Sequence, residues 1–254
     1  MASVASVITD HSRRYPVNRE AITVSTVNQE VYERLRGAIR TGSLPPGVKI
    51  SLRSLADTLG VSTMPVREAM RKLQAQGLVQ FERRSVTVVQ LTADEVVQVF
   101  QIRLRLEQLA AEWALQRLTD EDIADLRAVL VEMADPGIAP EAWRRLNRQF
   151  HVRFYQCARS PHLLELIHNI WDRVDSSMTI YASTVDDFAE AHRQHLRMLE
   201  LIESRDLPGL LDETAWHLEY TSRTVAEALG EALGEPVLHA RADTADATPL
   251  TPHP

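Results

Sequence analysis

The chain has 254 residues, 44% hydrophobic and 25% charged, enough for one large domain or two modest ones with real cores. Its single cysteine, Cys157, excludes an internal disulfide, and no apolar run approaches the roughly 18–20 residues of a membrane span. The net charge of −7 is uneven: residues 26–90 carry +5, residues 1–25 carry +1 and residues 91–254 carry −13, so a basic segment suited to a polyanion is joined to an acidic body.

Residues 1–25 form an arm without sustained periodicity, in which Arg13, Arg14 and Arg19 could touch phosphates. The opening MASVASVITDHSRRYP lacks the basic-then-apolar layout of a secretion signal, which together with the lone cysteine predicts a cytoplasmic protein. The segment 26–91 reads as a DNA-binding domain. Val31, Leu35, Ala38 and Ile39 share one helical face from Thr26 onward, and Gly42 with Pro45–Pro46–Gly47 ends that helix. A short extended piece, Val48–Ile50, leads to Ser51, the N-cap of a second helix whose stripe is Leu52, Leu55, Ala56 and Leu59. After a turn at Gly60–Val61, Ser62 caps a third helix with Val66, Ala69, Met70 and Leu73 inside, and Gly77 ends it. LVQFERRSVTVVQL, rich in β-branched residues and broken at Glu82–Ser85, predicts a two-stranded hairpin, so the whole is a winged helix-turn-helix.

The third helix turns Thr63, Met64, Arg67 and Arg71 outward, with Arg67 and Arg71 four apart on one side. Laid in the major groove, such a helix reads bases from its N-terminal side chains while arginines and hydroxyls hold phosphates. Arg53 opens the second helix near the backbone, Ser62 stands at the start of the third, and Arg83 and Arg84 at the hairpin tip suit a wing on phosphate or the minor groove.

From Thr92 the chain reads as helix after helix, an all-α bundle over residues 92–232 followed by a tail, 233–254. Val99, Leu106, Leu109, Ala110 and Trp113 mark its first helix; Asp120–Met133 and Glu141–Arg159 supply two more. A long fourth runs from Leu163 to Tyr181, and Phe188–Ser204 and Leu207–Gly230, the last capped by Asp206, complete the set. Asn147 and His151 share an inward stripe with Phe154 and Ala158, and His195 shares one with Phe188, Ala191, Leu199 and Ile202. His217 stands with Thr214, Thr221 and Thr224 beside Tyr220, a hydroxylated face like the wall of a polar pocket. A buried imidazole needs a partner: either a core hydrogen bond, or a metal ion that satisfies several rings at once, with Zn or Ni suited to three imidazoles. Arg103 and Glu107, four apart, form either a helix ion pair or, through Arg103, a clamp for an effector carboxylate. His192 is expected on the rim of the His195 face, His162 and His168 on an exposed side, and Cys157 beside Phe150 and Phe154 in the core.

RLRGAIRTGSLPPGVKISLRSLADTLGVSTMPVREAMRKLQAQGLV resembles the GntR family of bacterial transcription regulators through its PPG turn, its LADTLGVS turn and the PVREAMRKLQAQGLV recognition helix. The helical remainder resembles the FCD domain of the FadR-type subfamily. The resemblance implies DNA contacts at Arg53, Ser62, Thr63, Arg67 and the wing. Thr63 stands where the family usually has arginine, which implies an altered operator preference, and Ser85 stands where the wing usually has glycine. It also implies a metal site: NRQFH matches a D-x-x-x-H element at Asn147 and His151, and His195 and His217 match the two later histidines. Asn147 in place of aspartate implies a weakened site that an anionic effector, a small carboxylate, would complete; Arg103, Tyr220 and Thr221 are the expected effector contacts. The function implied is a repressor, a homodimer on a palindromic double-stranded operator, released by its effector. The alternative is a metal-dependent hydrolase at the three-histidine site, but no H-E-x-x-H general base accompanies the histidines and the basic segment is left unused.

Overall fold

A computed structural model describes residues 25–82, 85–178 and 188–234. Helix α1 (Ser25–Arg40) buries Val31, Leu35 and Ile39 and is followed by strand β1 (Lys49–Ile50). Helix α2 (Leu52–Leu59) opens where Ser51 accepts a hydrogen bond from the Ser54 amide at 3.3 Å. It closes on Gly60 at φ 66°, a left-handed conformation that glycine enters without strain. Helix α3 (Thr63–Ala75) buries Val66, Ala69, Met70 and Leu73, as its periodicity dictates. Ser62 occupies the N-cap position with extended backbone, yet its hydroxyl makes no cap bond. One of the two amides such a cap can take is missing, because Pro65, the third residue of the helix, has no N–H.

Strands β2 (Val79–Phe81) and β3 (Val86–Val88) form the expected wing hairpin, but the sheet has three strands in the order β1–β3–β2, all antiparallel. Ile50 pairs with Val86 and Lys49 with Thr87, a two-residue strand too short to show a period of two in sequence. Glu82 fastens the wing: its carboxylate accepts from Thr87 at 3.0 Å and Ser85 at 3.1 Å and pairs with Lys49 at 3.2 Å, all of which hold its pKa below the usual range. Arg83 and Arg84 lie outside the described residues.

Six further helices among the described residues build a second core: α4 (Ala93–Leu115), α5 (Asp120–Met133), α6 (Pro140–Gln156), α7 (Pro161–Asp175), α8 (Ala189–Glu203) and α9 (Leu207–Leu233). Capping boxes at Thr92/Glu95 and Thr119/Asp122 start α4 and α5, and Asp206 caps α9 through the Gly209 amide. Helix α4 packs against α9, α7 and α6. Helix α7 ends at Asp175 rather than running on to position 181, where Ser176 and Ser177 offer poor helix propensity and position 181 lies outside the described residues.

Helix α1 is tied to this bundle by charge. Arg36 donates to Asp172, Arg40 stands 3.7 Å from Asp175, and Arg148 of α6 bonds Asp175 at 2.8 Å and Asp172 at 3.3 Å. Among the described residues no helix is long and apolar enough to cross a membrane.

Candidate functional site

Three helices bring three imidazoles together. His151 (α6), His195 (α8) and His217 (α9) are all buried, and one nitrogen from each lies within 4.8 Å of the others. Their ring centroids are 4.8–5.3 Å apart, with Phe150 edge-on to His151 and His195. The inward phase expected for His151 and His195 is therefore observed, and His217 joins them from α9.

Hydrogen bonds set the tautomers. His195 Nδ1 faces the Ala191 carbonyl, which only accepts, so Nδ1 carries the proton and Nε2 presents a lone pair. His217 Nδ1 lies 2.8 Å from Gln194 Oε1, another acceptor, which likewise leaves Nε2 bare. Gln194 is oriented by its own amide, which donates to Glu190 at 3.2 Å. His195 Nε2 and His151 Nε2 stand 3.1 Å apart, near the roughly 3.4 Å separation of two nitrogens on one tetrahedral zinc. Burial drives all three rings toward neutrality: His195 falls to about 4, while His151 and His217 fall well below the ordinary 6.5, helped by the neighbouring imidazoles. Neutral imidazole is the protonation state that metal binding requires, and His195 and His217 each turn a bare Nε2 inward. One further group suits a cation: Asn147 Oδ1, one helical turn before His151, is buried without a hydrogen-bond partner.

His151 and Asn147 border a cavity of about 440 Å³, walled also by Arg103, Trp143, Arg148 and Trp171. Arg103 thus reaches it, but its pairing with Glu107 is no surface ion pair. Glu107 is fully buried and accepts from Arg103 at 2.8 Å, Tyr155 at 2.8 Å and Trp171 at 2.7 Å. Tyr220 and Thr221 are not in the cavity wall. The hydroxylated face of α9 bonds to itself, with Thr214, Thr221 and Thr224 each donating to the carbonyl four residues back at 2.7–3.0 Å. His192 and His168, expected toward solvent, are half-buried, each with one unpartnered ring nitrogen; His162 is exposed. Cys157 is buried as expected, and burial pushes its thiol up to about 11.

Across the molecule, Arg53, Ser62, Thr63, Met64, Arg67 and Arg71 are all exposed on α2, α3 and the turn between them. Arg71 pairs with Glu68 at 3.2 Å, whereas Arg53 and Arg67 have no ion pair among the described residues. Sequence reasoning missed Gln194, the Tyr155 and Trp171 partners of Glu107, and the Asp172–Asp175 pair. Adjacency to His195 was an available signal for the first; nothing local marks the others, and Asp172 meets Arg36 across 136 positions.

Residues 27–89 match the family model described as bacterial regulatory proteins, gntR family, and residues 98–220 match the FCD domain. The chain belongs to the GntR family. It is a transcriptional regulator of the branch that pairs a winged helix with an FCD domain. This GntR regulator is 29% identical over 207 residues to the regulator YdhC of Bacillus subtilis (strain 168), covering 80% of this chain and 92% of that one. It is 30% identical over 213 residues to the regulator Mce2R of Mycobacterium tuberculosis, covering 75% and 88%. Relatives named as repressors include the gluconate operon transcriptional repressor of Bacillus licheniformis, 24% identical over 68% of this chain and 74% of that one. Among solved structures, Escherichia coli McbR/YncC shares the fold with a TM-score of 0.71 at 23% identity, over 80% of this chain and 98% of that one.

Proposed function

We propose that this regulator is a cytoplasmic, non-enzymatic repressor that binds a palindromic operator as a homodimer and leaves it when a small anionic effector enters the cavity beside the histidines. The observation that carries this reading is the cluster of three buried imidazoles, one of which, His151, borders an arginine-lined cavity in the domain behind the reading head. Helix α3 would enter the major groove with Thr63, Met64, Arg67 and Arg71, while Arg53 and Ser62 hold the backbone and Arg83 and Arg84 the flanking groove. Thr63 offers a methyl and a hydroxyl where an arginine would clamp guanine, so the preferred bases differ accordingly.

His151, His195 and His217 would hold a divalent ion, Zn or Ni, with Asn147 as a neutral fourth donor. Such an ion supplies a Lewis-acidic docking point for a carboxylate, and the amide in place of a carboxylate leaves the site one unit more positive. Arg103 would support the bound acid from the cavity wall; Tyr220 and Thr221, expected beside it, have a weaker claim because they lie outside that wall. The hydrolase alternative is disfavoured by Glu107: Arg103, Tyr155 and Trp171 all hold this carboxylate, so it is not free to act as a general base.

A mobility-shift titration against the DNA upstream of the protein's own gene, with zinc-loaded protein and a panel of small carboxylic acids, tests the proposal. A shift that weakens steeply with salt and is reversed by an acid supports it. No shift with or without the acids overturns it.

A further inference from the structure

The cavity has a second end. Away from His151 and Asn147 it is walled by Arg40 and Thr41 at the close of α1, by Arg144 and Arg148 of α6, and by Asp175 at the close of α7. Arginines outnumber acidic residues around the whole cavity: Arg40, Arg103, Arg144, Arg145 and Arg148 face Glu141 and Asp175. Glu107 neutralises Arg103, and Asp172 and Asp175 divide themselves among Arg36, Arg40 and Arg148. Arg144 and Arg145 are left over, and of the two Arg145 is exposed whereas Arg144 is half-buried. The Arg144 guanidinium reaches only backbone carbonyls, those of Asp175 at 3.2 Å and Arg40 at 3.4 Å, and no carboxylate among the described residues lies within ion-pair distance. Glu141, on the same wall, makes no ion pair among the described residues. Burial also lowers the Arg144 pKa, so its charge is held where water only partly solvates it.

We infer that this end is a second anion subsite, and that the ligand is a small molecule with two acidic groups, one toward the histidines and one held by Arg144 and Arg148 at the junction with α1. The inference rests on the cavity being the effector site. A guanidinium with free donors binds a carboxylate or phosphate oxygen through charge-assisted bonds, and a molecule with one acidic group can occupy only one end. The position also links binding to DNA. Arg40 ends α1 and Thr41 follows it, and α1 packs on the recognition helix α3. An anion at Arg148 competes with Asp172 and Asp175 for that guanidinium, and the same two carboxylates hold Arg36 and Arg40, so the ligand redistributes the charge network that ties α1 to the bundle.

The test is calorimetric titration of full-length, zinc-loaded protein with malonate, succinate and glutarate against acetate, propionate and butyrate. At least one diacid is expected to bind tenfold or more tightly than the monoacid of matching length. Arg144→Ala is expected to reduce that advantage to within threefold, and Arg144→Lys to keep part of it, with unchanged circular-dichroism spectra showing that both variants fold. Monoacids binding as tightly as diacids, or an undiminished diacid advantage in a folded Arg144→Ala protein, overturns this inference alone. Failure of every acid to bind the wild-type protein overturns both it and the effector reading beneath it.

Discussion

Gln194 accepts a hydrogen bond from Nδ1 of His217 at 2.8 Å, and its own amide is oriented by Glu190. An amide oxygen that holds one ring nitrogen protonated fixes the other as a ligand atom. Gln194→Leu removes this constraint while preserving most of the volume. We expect roughly 10- to 100-fold weaker zinc binding, the range for losing a partner of a liganding histidine, measured by competition with a chromophoric chelator. Unchanged affinity would mean that His217 needs no outside orientation.

Glu107 is the acceptor for three buried donors, so truncating it strands Arg103, the Tyr155 hydroxyl and the Trp171 indole together. Removing one partner of a buried ion pair costs roughly 3–5 kcal/mol. Glu107→Ala should therefore unfold at markedly lower denaturant concentration than wild type, and Glu107→Gln, which keeps one acceptor oxygen, should fall between them. Equal midpoints for all three would show that the network contributes little.

The depressed imidazole pKa values give metal-stripped protein a pH signature. Each ring's folded pKa lies below the unfolded 6.5, with His195 at about 4, so the unfolded chain binds more protons between those values. The stability from neutral rings is present in full above pH 6.5 and is lost as pH falls through the folded values. Melting temperature after chelation should decline between pH 6.5 and 4, and His195→Asn should show a shallower decline. A wild-type profile that is level across this window would contradict the burial argument.

On the reading head, Arg67 projects from α3 without an ion pair among the described residues, free to meet DNA. Arg67→Ala is expected to weaken operator binding by about 1–3 kcal/mol, roughly 5- to 150-fold, by fluorescence anisotropy at fixed salt. If the loss is equal on unrelated sequences, Arg67 holds phosphate; if it is confined to the operator, it reads a base. No loss on either would remove Arg67 from the interface.

Much of this was legible because it is local. Caps at Ser51 and Asp206 and the stripes of α3, α6 and α8 are written at spacings of three and four, and the stripes placed His151 and His195 inward. What failed was either non-local or ambiguous between partners. Strand β1 is two residues long and is defined only by pairing with β3, so the sheet looked two-stranded. The threonines around His217 looked like a pocket wall, but a helical threonine can satisfy itself on the preceding turn, and these do. Arg103 and Glu107 have the spacing of a surface pair, and only tertiary packing reveals that Tyr155 and Trp171 close over them. The ties from Arg36 and Arg40 to Asp172 and Asp175 have no sequence signature at all.

The most direct measurement is metal content by plasma mass spectrometry on protein purified without chelators or affinity metals, alongside His151→Ala, His195→Ala and His217→Ala. The expected result is about one zinc or nickel ion per wild-type chain, as a three-histidine site requires, with loss from each folded variant. Wild-type protein that carries no stoichiometric ion and takes none up from added zinc or nickel would show that the three imidazoles are core or ligand-binding groups and not a metal centre.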